Sequence, residues 1–107
     1  MREEVLKIYD EVVSKNPNFE RKGKTMPYTS ANGHMFSLLN KAGELGIRLS
    51  KEDTAEFDTA YGAQSFHSYG ATMRGYVLIP EALLENQKEL GNYLQKGYDY
   101  VMSLPPK

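Results

Sequence analysis

"HMFSLLNKAGELGIRLS", His34 to Ser50, decides the fold of this chain. Two apolar runs, His34–Leu39 and Leu45–Ser50, flank "NKAGE", where Asn40 and Gly43 suit the positive-φ geometry that a short hairpin loop demands. The stretch therefore predicts a β-hairpin, and with it an antiparallel sheet. In its second run Leu45, Ile47 and Leu49 fall on one face, with Arg48 on the opposite one. In its first run either Phe36 and Leu38 or Met35 and Leu39 point inward.

Upstream, Val5, Ile8, Tyr9, Val12 and Val13 recur at helical spacing, which predicts a helix over Arg2 to Ser14 ended by "KNPNF". "FERKGKTM", Phe19 to Met26, alternates Glu20, Lys22 and Lys24 with Phe19, Arg21, Gly23 and Thr25 and reads as a charged edge strand. "MPYTSANGHMF" then reads as its connection to the hairpin, with Asn32-Gly33 as the turn signal. Its Tyr28, Ser30, Asn32 and His34, with Arg48 from the neighbouring strand, also form the chain's most polar local assembly, a candidate binding site.

Downstream, Ser50 with Asp53 caps a helix over Lys51 to Tyr61, stopped by Gly62. "SFHSY" and "RGYVLI" predict two further strands around Gly70, with Tyr76 and Leu78 facing one way and Val77 and Ile79 the other. Pro80 to Glu85 reads as one helical turn. Asn86 with Glu89 caps a closing helix whose Leu90, Tyr93, Leu94, Tyr98 and Val101 keep the helical period, with Gly91 and Gly97 admitting close neighbours. The predicted order α-β-β-β-α-β-β-α describes an α+β fold with a mostly antiparallel five-stranded sheet.

A length of 107 residues fits a single domain, 1–107, and the composition is that of a folding globular chain. Thirteen basic against 14 acidic residues supply no global attraction to nucleic acid or anionic lipid. The absence of cysteine removes thiolate metal sites and a Cys nucleophile, and with no apolar export or membrane segment it points to the cytoplasm. His34 and His67 lack the ligand spacing of a chelate with Glu52 or Asp53, so no metal or cofactor is expected. Ser30 or Ser37 beside His34 lacks a nucleophile-elbow motif, and "KGKT" lacks the first glycine of a phosphate loop. Arg21, Lys22 and Lys24 form the one basic cluster, read chiefly as edge protection. Eight tyrosines without tryptophan suggest an interaction surface using Tyr28, Tyr61, Tyr69 and Tyr100.

"RKGKTMPYTSANGHMFSLL", "GIRLSKED" and "GYVLIPEALLENQKELGNYLQKGYDYVMSL" together resemble the TfoX/Sxy N-terminal domain family of small bacterial proteins. The most specific elements are Gly33 with Met35-Phe36, the strand Ile47-Arg48-Leu49, and Pro80 with Leu83-Leu84 ahead of the closing helix. The resemblance implies a secretion-chaperone-like α+β fold with no catalytic residue to carry over; in the family, two-domain members act in transcription alongside the cyclic-AMP receptor protein, and many single-domain members have no assigned role. The expectation is a cytoplasmic, non-enzymatic protein-binding module, an adaptor in transcriptional regulation, with a homodimer left open and nucleic acid disfavoured. The alternative is a small-molecule-binding or enzymatic domain using Tyr28, Ser30, Asn32, His34 and Arg48.

Overall fold

The computed structural model describes residues 2–68 and 70–107. Helix α1 (Arg2–Ser14) is followed by strands β1 (Tyr28–Ala31), β2 (His34–Leu39) and β3 (Leu45–Arg48), and then by helix α2 (Lys51–Tyr61). Strands β4 (Ser65–Ser68) and β5 (Ala71–Leu78), the single turn α3 (Glu81–Leu84) and the long helix α4 (Gln87–Met102) complete the order. The strands form one antiparallel sheet, β1-β2-β3-β5-β4, so the fold is α+β as the sequence predicts.

The first strand lies later than the charge alternation suggests. Phe19 to Met26 contributes only one isolated bridge, Lys22 with Tyr28. Gly23, at φ +82°, folds this segment back so that Lys22 and Tyr28 exchange backbone hydrogen bonds of 2.8 Å. Arg21 is tied down by Asp10 of α1, its Nε 2.7 Å from the carboxylate. The segment is a loop lying along the rim, and "YTSA" is the edge strand. Asn32 and Gly33, at φ 57° and 81°, form the two-residue turn into β2 that right-handed strand twist favours. In the β2–β3 loop Gly43 takes the positive φ, whereas Asn40 contributes its side chain instead.

Strict alternation also fails in β2. Thr29 pairs with Ser37 and Ser30 with Met35, which leaves Phe36 as an extra residue. This bulge puts Phe36 and Leu39 together in the main core, against either alternating pair predicted for this strand, while Leu38 is buried outside that cluster. The main core joins one sheet face to the helices through Val5, Tyr9, Phe36, Ile47, Phe57, Leu90, Leu94 and Val101. Helix α4 approaches the sheet at Gly97, where a methyl group would stand 3.0 Å from the Arg48 carbonyl oxygen. At Gly91 the nearest atom would be 3.5 Å away, an ordinary contact. The caps form as predicted, Ser50 accepting from the Asp53 amide and Asn86 from the Glu89 amide.

One polar chain crosses this core. The Tyr9 hydroxyl of α1 and the Ser37 hydroxyl of β2 are 2.5 Å apart, and Ser37 bonds in turn to the Thr29 hydroxyl of β1. All three residues are fully buried. Burial pushes the Tyr9 phenol far above its ordinary pKa, against the lowering effect of the hydrogen bonds from Ser37 and Thr29.

The other sheet face carries a smaller apolar group. Phe66 of β4 is fully buried and stacks on Tyr76 of β5, with ring centroids 6.0 Å apart. It also covers Gly46 of β3, where any Cβ would collide with its ring. The sheet is curled enough that the Asn40 amide, at the end of β2, donates to the His67 carbonyl of β4 at 2.7 Å. Three strands' width in a flat sheet would forbid that bond.

Candidate functional site

The curl leaves a seam where β4 returns toward the β2–β3 loop and the segment entering β1. A cleft of about 440 Å³ opens there, lined by half-buried Met26, buried Ser68 and exposed Lys41, Ala42, Glu44 and His67. Asn40 fixes its back wall. One amide nitrogen serves both the His67 carbonyl, at 2.7 Å, and a Glu44 carboxylate oxygen, at 3.2 Å, while the amide oxygen accepts from the Glu44 N–H at 2.9 Å. The Glu44 carboxylate is thereby held beside the end of β4. The Ser68 hydroxyl points at the Met26 sulfur at 3.9 Å, a weak contact that leaves its stronger bonding capacity available.

The polar assembly predicted from sequence is distributed differently. Tyr28 and Ser30 lie on β1, opposite Leu38 and Met35. Asn32 turns away from them, donating to the Val101 and Leu104 carbonyls at 3.0 and 2.8 Å, and its own carbonyl accepts from Lys107 N–H at 3.2 Å. His34 donates from Nε2 to the Pro105 carbonyl at 2.9 Å. These two residues bind the chain's own segment after α4. Arg48 is half-buried and pairs in register with Tyr76, and its guanidinium lies 5.4 Å from the ring centroid of Tyr100 on α4. The strand–turn–strand reading accounts for the backbone positions of Asn32 and His34, and their side chains are taken up by the C-terminal end of the chain.

The other expectations resolve similarly. Tyr61 packs on Phe57 and Tyr93, and Tyr100 lies under Arg48, so these rings serve the interior more than a display surface. Tyr28 is half-buried, and Tyr69 lies outside the described residues. Of the basic cluster, Arg21 is committed to Asp10, whose hydrogen bond raises the guanidinium pKa, while Lys22 and Lys24 remain exposed. Lys96 of α4 is raised by its hydrogen bond to Glu56 at 3.1 Å, which ties α4 to α2. Among the described residues no three His, Cys, Asp or Glu side chains group closely enough to hold a metal ion, and no helix is long and apolar enough to cross a membrane.

The sequence reading passed over the cleft because its lining comes from three separate segments, each of which reads as a turn or edge. No local pattern marks it, since Asn40 reads as an ordinary turn residue and only the folded chain shows it to be 4% exposed. The chain matches no protein-family model and no curated protein.

Proposed function

We propose that this chain is a cytoplasmic, non-enzymatic protein-binding module built on the TfoX/Sxy N-terminal plan, acting as an adaptor in transcriptional regulation. The element order and the Gly33–Phe36, Ile47–Leu49 and Pro80–Leu84 motifs support the kinship. The observation that carries a binding role is the contrast between the two sheet edges. The β1 edge is occupied by the Lys22–Tyr28 bridge and its charged loop. The β4 edge, "SFHS", has no charge and no proline, and a cleft opens at its end. The Asn40 amide takes the His67 carbonyl at the cleft end of β4, and the uncharged remainder of such an edge is where an extended partner segment adds a strand. A photo-crosslinking residue at exposed Ser65 should capture a protein in the native host, while the same residue at exposed Thr59 of α2 should not. Equal capture from both positions, or none from Ser65, refutes the reading.

A second reading, small-molecule binding, is favoured by the cleft's volume of about 440 Å³, which falls within the range of about 300–1,000 Å³ found for ligand sites. A thermal-shift screen tests it, since a ligand at about 100 times its Kd stabilises by about 2.7 kcal/mol.

A further inference from the structure

Resting on that second reading of the cleft, we infer that its occupant is a free α-amino acid with an apolar side chain, bound as the zwitterion. Exposed Lys41 and Glu44 bring both signs of charge to a cleft whose apolar side chains are Met26 and Ala42. The exposed Glu44 carboxylate accepts from the Asn40 amide at 3.2 Å, and it takes part in no ion pair among the described residues. One oxygen accepts from Asn40, and the other is available to a ligand ammonium. Lys41, three residues earlier on the same loop, likewise has no ion pair among the described residues and offers a cation to a carboxylate. The His67 ring, which has no hydrogen-bond partner among the described residues, and the Ser68 hydroxyl supply further donors on the β4 side. Met26 and Ala42 provide the surface for an unbranched or branched apolar side chain, and the polarisable Met26 thioether adapts to its shape.

Charge complementarity selects this ligand over its neighbours. A simple fatty acid would leave Glu44 facing the apolar chain, and an alkylamine would leave Lys41 without a partner. A zwitterion satisfies both, and each charge-assisted bond is stronger than a neutral one.

The test is a ¹H–¹⁵N NMR titration of the full chain with L-methionine, L-leucine and L-phenylalanine, beside N-acetyl-L-methionine, which lacks the ammonium, and L-methioninamide, which lacks the carboxylate. At least one free amino acid should give saturable shifts centred on residues 26, 40–44, 67, 68 and 70 at concentrations up to about 10 mM. Each derivative should bind at least about tenfold more weakly, as should the parent amino acid to the Glu44→Gln and Lys41→Met variants. In the Glu44→Gln variant the new side-chain amide oxygen can still accept from Asn40, so that substitution keeps the wall intact. If a derivative binds the cleft as tightly as the free amino acid, the cleft is a small-molecule site and the zwitterion inference falls. If neither amino acids nor derivatives move the cleft resonances, the zwitterion inference falls, and the thermal-shift screen alone decides the wider reading.

Discussion

Replacing Ser37 by alanine should cost more than its single oxygen suggests, and should reverse the sign of a second substitution. In the wild type Ser37 is the middle member of the Tyr9–Ser37–Thr29 chain, and none of the three is exposed. Tyr9→Phe removes one end and leaves Ser37 bonded to Thr29, so its cost should be that of one ordinary hydrogen bond, about 1 kcal/mol. Ser37→Ala removes the centre and strands two buried hydroxyls, each at about 1–3 kcal/mol, for a total of about 2–6 kcal/mol. Once Ser37 is gone, the Tyr9 hydroxyl has only a penalty to contribute. Tyr9→Phe should then stabilise the Ser37→Ala protein by about 1 kcal/mol or more, having destabilised the wild type by a similar amount. Equilibrium urea unfolding of the four proteins in a double-mutant cycle measures this, with the midpoint read at constant slope. The reasoning is refuted if Tyr9→Phe costs the same in both backgrounds, because the hydroxyls would then be independent.

Four further outcomes follow from the same packing. Gly97→Ala should destabilise by about 1–3 kcal/mol because the new methyl meets the Arg48 carbonyl, whereas Gly91→Ala should be neutral or stabilising by about 0.5–1 kcal/mol; a matched pair of thermal melts separates them. Asn32→Gly keeps the turn's backbone geometry but deletes both bonds to Val101 and Leu104, so calorimetry should record a loss of about 1–2 kcal/mol, and an unchanged protein would mean the bonds contribute nothing. Stability should fall as pH rises above about 10, since the unfolded Tyr9 phenol ionises there while the folded one, held above it by burial, stays protonated. Tyr9→Phe should flatten that decline in part, with Tyr93, raised in the same direction by desolvation, keeping the remainder. Arg48→Ala should cost about 0.5–1 kcal/mol through loss of its stacking on Tyr100, measured by urea unfolding; a loss of several kcal/mol would mean the side chain carries more than that contact.

What the residues disclosed in advance was whatever depends on local periodicity. Helix α1, the β2–β3 hairpin, the Ser50 and Asn86 caps and the orientation of Leu45, Ile47 and Leu49 are all short-range consequences of spacing and turn chemistry. The misplaced first strand shows the limit. "FERKGKTM" alternates as a strand does, but Gly23 and the Arg21–Asp10 pair bend it into a loop, and Asp10 lies on another element. The Phe36 bulge was illegible for a related reason, since an inserted residue is defined by the strand it fails to pair with. Of the candidate site, Asn32 and His34 are legible as polar residues of a turn and a candidate binding site, but the groups they bond to sit about seventy residues away in the segment after α4. The cleft depends on bringing the β2–β3 loop against β4, a long-range contact made by Asn40 and the His67 carbonyl that no local pattern announces.

The grip of Asn32 on Leu104 spans 72 residues of chain. In an open chain, closing a loop of that size costs about 3.8 kcal/mol of entropy beyond a constant, more than two such bonds return. The latch therefore cannot nucleate the fold. It closes after the β1–β2 hairpin and α4 have docked through the core, and on the way to unfolding it is among the first long-range contacts to be released. Mutations at Asn32 should consequently act on the unfolding rate and leave the folding rate nearly untouched.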